Sequence, residues 1–336
     1  MSDTQNLLET LGQNIENLLD DHDALDNVLA SARNQNTWFT PENTRFALTH
    51  WRNSLTVQNI ENWLQNYPKR PQQTKNIGIV AAGNIPLVGL HDVLCVLACG
   101  FTAQIKLSST DAFLMRTVFG LMPDALQEKI QIVERLQSYD AIIATGSNNT
   151  ARYFDYYFGK VPNIIRKSRS SAAILSGSET QEDITNLASD IFRYFGLGCR
   201  NVTKLFVPTG YDFTPFFRCI DVSHAEIANH HKYFNNYEYN LAVALINRTT
   251  HLGNAFLIVM ENQQLKSPIG TLHYEYYTDS QDLEDKILAH HSELQCVAGD
   301  ERLFASAVAF GSTQTPSLHT YADNIDTMQF LCSLAS

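Results

Sequence analysis

Positive charge is scarce in this sequence. Its 24 lysines and arginines face 35 aspartates and glutamates, a formal net charge of −11 over 336 residues. A chain so acidic lacks the basic field that binds nucleic acid or an anionic membrane surface. Long apolar runs are missing too, so no membrane span is expected. The opening residues Met1-Ser2-Asp3-Thr4-Gln5 carry neither a basic nor an apolar stretch, and no secretory signal is read there. Six cysteines (Cys95, Cys99, Cys199, Cys219, Cys296, Cys332) include no Cys-x-x-Cys pair. Such scatter fits reduced thiols and a cytoplasmic location better than a disulfide framework. No Gly-x-Gly-x-x-Gly occurs, which leaves the usual Rossmann phosphate loop unsupported. No His-Glu-x-x-His occurs either. His224, His230, His231, His290 and His291 therefore do not read as a zinc site, and no metal is expected. Cys95 and Cys99 lie four apart on an apolar segment without a histidine partner, so they read as core.

What is present is ample apolar material, 44% of the residues, enough for a sizeable core. Residues 5–30 read as a helix, with Leu7, Leu11, Ile15, Leu18 and Leu19 on one face. A second helix starts at Thr40-Pro41-Glu42, where a threonine cap, a proline in the first turn and an acid coincide. A third covers residues 57–65. Residues 1–68 are thus expected to form a helical N-terminal segment, ending in a linker at Tyr67-Pro68-Lys69-Arg70-Pro71. Then the pattern changes. Strands at 76–81, 103–107, 130–133 and 141–144 alternate with helices, which predicts a parallel sheet covered on both faces over 69–168. A second such pattern fills 169–305, with strands at 172–175, 204–207, 256–260 and 271–276 and a late strand at 305–310. Residues 306–336 are expected to return to the first sheet domain.

In a parallel sheet, ligands sit beyond the carboxyl ends of the strands. Asn84, Lys106, Ser108, Gly146 and Ser147 all fall at such ends. Lys106 would meet a ribose or its phosphate with a point charge. The N–H groups at Gly146-Ser147 would meet a pyrophosphate at a helix N-terminus. The amide of Asn84, in the turn Gly83-Asn84-Ile85-Pro86, would suit a developing oxyanion. Each also has a plainer reading: a solvated lysine, an ordinary helix cap, a turn asparagine bonding its own backbone. The segment Tyr194-Phe195-Gly196-Leu197-Gly198-Cys199-Arg200-Asn201 ends a helix in glycine and presents a cysteine. Arg200 beside it would favour a thiolate. Cys199 is accordingly a candidate nucleophile, with a buried structural thiol as the alternative.

Taken in order, Gly83-Asn84-Ile85-Pro86, Ile105-Lys106-Leu107-Ser108-Ser109, Thr145-Gly146-Ser147 and Gly198-Cys199 resemble the landmarks of the aldehyde dehydrogenase superfamily. The resemblance covers about residues 75–207, and the spacing of 22 residues from Asn84 to Lys106 is close to the family's. The wording Ala144-Thr145-Gly146-Ser147-Asn148 and Phe195-Gly196-Leu197-Gly198-Cys199-Arg200-Asn201 is similar to the acyl-CoA reductase branch, which includes the fatty-acid reductase of bacterial bioluminescence. The tail at Tyr321-Ala322-Asp323 and Asp326-Thr327 looks similar as well. The resemblance implies an α/β, aldehyde dehydrogenase-like fold with two parallel-sheet domains and a helical N-terminal segment. It implies Cys199 as nucleophile, Asn84 with the Cys199 N–H as oxyanion hole, and Gly83, Lys106, Ser108, Gly146 and Ser147 as cofactor-binding residues.

One landmark departs. The superfamily carries a glutamate, the base for water, on the strand before the cysteine. Residues 165–171 here contain no acid, and Arg166 stands 33 residues before Cys199, about where the glutamate would be. Hydrolysis of an acyl enzyme needs an activated water, whereas its reduction does not. The expected reaction is therefore reduction of an acyl-CoA or other acyl thioester to an aldehyde. Ser108-Ser109, in place of an acid after the strand, leaves room for a 2′-phosphate, so NADPH is the expected cofactor and NADH the alternative. Arg166, Lys167 and Arg169 would attract CoA phosphates or form a solvated basic face. Tyr233, Phe234, Tyr237 and Tyr239 would line an acyl pocket or pack in the core. The other readings are an acyltransferase or thioesterase using Cys199 without nicotinamide, and a non-catalytic assembly protein. Partners beyond the substrate would be a second copy of the chain or an acyl-delivering protein.

Overall fold

The structure, a computed structural model, describes residues 3–67 and 74–334. Pro68–Pro71 of the expected linker lie outside the described residues. The chain divides into two compact units. One runs up to Ser168 and resumes at Ser317; the other is Arg169–Pro316.

The first unit opens with α1 (Asp3–Asp20), α2 (His22–Gln35), α3 (Pro41–Ser54) and α4 (Val57–Leu64). The single helix expected over 5–30 is two. The side chain of Asp21 accepts from Ala24 N at 3.1 Å and caps α2, a local bond that competes with continuing α1. On α1 Leu8, Leu11 and Ile15 are buried, and Leu7, Leu18 and Leu19 pack half-buried against the same core. Thr40 caps α3 as expected, accepting from Asn43 N at 3.3 Å.

After β1 (Asn76–Val80), the chain alternates α5 (Leu90–Ala98), β2 (Thr102–Lys106), α6 (Ala112–Gly120), α7 (Asp124–Gln127), β3 (Ile130–Ile132), β4 (Ala141–Thr145), α8 (Asn148–Phe158) and β5 (Asn163–Arg166). The five strands are parallel, in the order β3-β2-β1-β4-β5. Helix α5 is buried on nearly every side, as its uniformly apolar sequence requires. It lies between the sheet and a layer made by α1 and the C-terminal helix Thr327–Ser333. Leu8, Leu11, Val93, Leu97, Ile77 and Leu331 thus share one core. Hydrogen bonds fasten the tail: Trp63 Nε1 donates to Tyr321 Oη at 2.8 Å, and Tyr67 Oη donates to Asp326 Oδ2 at 2.8 Å.

The second unit contains β6 (Ser170–Ile174), α9 (Gln181–Phe192), β7 (Val202–Pro208), α10 (Thr214–Ser223), α11 (His231–Ile246), β8 (Leu252–Gly253), β9 (Ile258–Glu261), β10 (Thr271–Tyr277), α12 (Ser280–Ala289) and β11 (Leu294–Ala298). Its sheet runs β11-β6-β7-β10-β9-β8, parallel except where β8 meets β9. The strand expected at 305–310 is instead a string of turns touching the sheet through one bridge, Ala298 to Val308. The edge strand is β11, whose internal Gln295 and Cys296 blur its apolar pattern. It forms because α12 delivers it parallel to β6. Among the described residues no helix is long and apolar enough to cross a membrane.

Candidate active site

In the second unit, α9 starts at a complete capping box: Thr180 Oγ1 accepts from Asp183 N while Asp183 accepts from Thr180 N. Its end is less ordinary. Tyr194, Phe195 and Gly196 follow one another at φ 53°, 59° and 76°. Glycine adopts this left-handed region freely; each bulky aromatic costs about 1–2 kcal/mol there. Burial holds the pair in place, and the Phe195 ring lies 4.1 Å from the His230 imidazole, centroid to centroid. Asn201 does the rest. Its side-chain oxygen accepts from Gly198 N at 2.8 Å. Its Nδ2 donates to the carbonyls of Asp190 (3.0 Å), Ile191 (3.3 Å) and Arg193 (2.7 Å). One fully buried amide thus ties the carbonyls that end α9 to the residue before Cys199.

Cys199 itself is half-buried at the crest of this loop. Ser171 of β6 supports it from below, its hydroxyl donating to the Cys199 carbonyl at 3.1 Å and lying 3.1 Å from Cys296 Sγ. Arg200, expected to favour a thiolate at Cys199, is a neighbour of the Cys296 thiol as well. Burial pushes that thiol above its usual range, with Arg200 and Ser171 pulling the other way. Asp190 of α9, 1% exposed, accepts from Gly311 N (2.6 Å), Thr313 N (3.1 Å) and Thr313 Oγ1 (2.7 Å). Burial raises its carboxyl to about 6 against the pull of these donors.

In the first unit, strand order reverses between β1 and β4, so their carboxyl ends flank the crevice where doubly wound sheets take ligands. Asn84 follows β1, Lys106 ends β2, and Gly146 and Ser147 follow β4; Asn84, Lys106 and Ser147 are exposed. Ser147 caps α8, accepting from Thr150 N at 3.2 Å. Gly146 N continues the sheet by donating to Arg166 O at 3.2 Å. Gly83 is buried beneath the loop after β2: a Cβ there would run into the side chains of Ser108 and Thr110, so glycine suits the approach. Ser108 Oγ is in turn 2.8 Å from Thr110 Oγ1. An exposed lysine and a helix N-terminus at a strand-order reversal fit a phosphate-bearing cofactor.

Arg166 corrects the expectation built on it. It ends β5 in the first unit, 3% exposed. Its guanidinium binds Asp92 Oδ2 of α5 at 2.5 Å and donates to Thr327 Oγ1 at 2.8 Å. It neither replaces a base on the strand before Cys199 nor belongs to an open basic face. That strand is β6, with the sequence Ser170-Ser171-Ala172-Ala173-Ile174. Arg169 is also engaged, donating to Leu294 O at 3.0 Å. Tyr233 and Tyr237 take the plainer of their two readings: both are buried, with hydroxyls donating to Phe256 O (3.1 Å) and Asn254 O (2.7 Å). Sequence reading passed over Asn201, Ser171 and His230 as participants. No local pattern marks them, because their partners lie on other elements.

The fold is that of an α/β protein of two sheet units, with a cysteine on a braced loop in one and a strand-order reversal in the other. No protein-family model and no curated protein matches the sequence. Solved structures do. A putative aldehyde dehydrogenase from Burkholderia cenocepacia is similar at a TM-score of 0.66, 13% identity, 91% of this chain and 77% of that one. Aldehyde dehydrogenase 21 from Physcomitrella patens, in complex with the reaction product succinate, gives 0.68, 13%, 98% and 83%. An aldehyde dehydrogenase from Bacillus cereus in an NAD+ complex gives 0.62, 11%, 92% and 75%. The chain has the aldehyde dehydrogenase-like fold.

Proposed function

We propose that the protein reduces an acyl-CoA thioester to the aldehyde with NADPH, through an acyl group held on Cys199. The observation that carries this is the strand under the cysteine. β6 presents the Ser171 hydroxyl to the Cys199 carbonyl and bears no carboxylate to activate water. The first acid after it in the chain, Glu179, is occupied by its own turn, accepting from Ser176 N and, at 3.1 Å, Gly177 N.

In this reading the Cys199 thiolate attacks the thioester carbonyl, the new C–S bond forms, and CoA leaves as its thiolate and takes a proton. The resemblance gives the carbonyl oxygen, negative during the attack, two donors, the Asn84 amide and the Cys199 N–H, each worth about 3 kcal/mol. Lys106 and Ser147, with the start of α8, would hold the reduced nicotinamide cofactor, which when bound supplies a hydride. The same two donors then stabilise the thiohemiacetal oxyanion on Cys199. Its collapse breaks the C–S bond, frees the aldehyde and returns the thiolate.

Mixing the protein with NADPH and a panel of acyl-CoAs should consume cofactor, read as falling absorbance. Cys199→Ala should abolish both turnover and the acyl adduct seen by intact mass. Oxidation of a simple aldehyde with NADP+, without consumption of NADPH by any acyl-CoA, would show that the direction is wrong. An adduct that turns over without NADPH would favour acyl transfer or hydrolysis instead.

A further inference from the structure

The loop from β2 into α6, Leu107-Ser108-Ser109-Thr110-Asp111, grips the turn that carries Asn84 on both sides. Before Asn84, Thr110 Oγ1 donates to Gly83 O at 2.7 Å. After it, Asp111 Oδ2 accepts from Leu87 N at 3.0 Å. Leu87 stands at φ 58°, a left-handed conformation that a branched side chain keeps only when its surroundings hold it. The contact leaves no slack, since a Cβ on Gly83 would lie 2.5 Å from Thr110 Oγ1. Asp111 is 1% exposed, and its Oδ1 has no hydrogen-bond partner among the described residues. Burying a carboxyl for a single backbone bond is costly, so the position is maintained against a penalty. Burial pushes this carboxyl well above the usual range, against the pull of the Leu87 N–H. The loop is itself braced from α2. Gln35 Nε2 donates to Ser109 O at 2.7 Å, its Oε1 accepts from Phe113 N at 2.9 Å, and Asn36 Nδ2 donates to Thr110 O at 3.4 Å.

We propose that Thr110 and Asp111 are positioning residues that fix the Asn84 turn from both sides and so hold its amide where the oxyanion forms, with Gln35 bracing them. The same loop follows Lys106 and includes Ser108, so cofactor contacts and the Asn84 turn share one piece of backbone. The role given to Asn84 rests on the acyl-CoA reductase reading; the grip on its turn does not.

Two measurements test this on the full chain. The first is amide hydrogen exchange. Thr110→Val and Asp111→Ala should each speed exchange at Leu87 and through the Asn84 turn while β1 stays protected. Asp111→Asn, which keeps an oxygen for Leu87 N, should restore protection. Unchanged exchange in Thr110→Val, the mildest change, overturns the grip. The second is the rate of Cys199 acylation, followed as CoA thiol released without nicotinamide. Thr110→Val and Asp111→Ala should slow it roughly 10- to 100-fold with little change in KM, and Asp111→Asn should recover most of the loss. Thr110→Val should add almost nothing to Asn84→Ala, because both act through one amide. Full additivity overturns the positioning role. If the native protein is not acylated at all, the acyl-CoA reading falls and takes the role of Asn84 with it, while exchange still decides the grip.

Discussion

Replacing Asn201 disturbs Cys199 without touching it. Asn201→Ala deletes the acceptor for Gly198 N and the donor to three carbonyls at the end of α9. The expected loss is roughly 2–4 kcal/mol, read from urea unfolding. Asn201→Asp should do no better, since it keeps the acceptor but sets a negative charge against the negative end of the helix. A variant with Asp as stable as the native protein would remove the carbonyl-tying role. Asp190 is a second handle. Its folded carboxyl is raised to about 6 by burial, above the ~4 of an unfolded chain. The folded state therefore binds more protons across that window. The stability contributed by the neutral acid is complete below pH ~4 and is lost as pH rises through about 6. Asp190→Asn removes the dependence, so native and variant unfolding free energies should diverge by roughly 2–3 kcal/mol between pH 4 and 7. Parallel curves would show that Asp190 is not buried as a carboxyl. The places of Cys199, Asn84 and Lys106 in the fold were legible because each sits next to a recognisable backbone event, a glycine turn or a strand end. Asn201 and Asp190 were not, because their bonds go to carbonyls and amides that only the folded chain brings to them.

Among the described residues, the turn between α9 and β7 is the one with three successive left-handed residues. Gly196 is the one that needs no side-chain support. A methyl there meets only Ile191 O, at 3.8 Å, so Gly196→Ala would be strained by the backbone alone. The expected cost is about 1–2 kcal/mol, with Cys199 acylation slowed as the loop relaxes. An Ala variant with native stability would mean that the turn adopts another conformation. Helix starts were read well in the sequence. Thr40-Pro41 and Ser147 announce their helices because a cap is a bond within a few residues. Strand membership was read less well. The run Ala305–Phe310 is more apolar than Leu294–Ala298, yet β11 is the strand, since its place depends on α12 returning the chain beside β6.

For the whole molecule, the Arg166–Asp92 pair joins β5, α5 and, through Thr327, the C-terminal helix of the first unit. Both side chains are almost fully buried. Arg166→Ala leaves the Asp92 charge buried without its partner and should cost about 3–5 kcal/mol. Asp92→Leu combined with Arg166→Met should recover most of it, because an apolar pair of similar volume carries no desolvation penalty. Equal losses in the single and double variants, read from unfolding midpoints, would deny the pair this role. The sequence by itself determined two alternating strand–helix patterns, a net acidic chain, and a cysteine set among glycines. These are properties of periodicity, charge and local turn geometry, which adjacent residues settle between themselves. The tertiary structure decided that Arg166 is a buried tie of the first unit and not a substitute for a base, that Asn201 ties the end of α9 to the residue before Cys199, and that α2 braces the loop gripping Asn84. Each of those outcomes depends on which distant group shares a low-dielectric interior with a side chain, and that is set only when the layers pack.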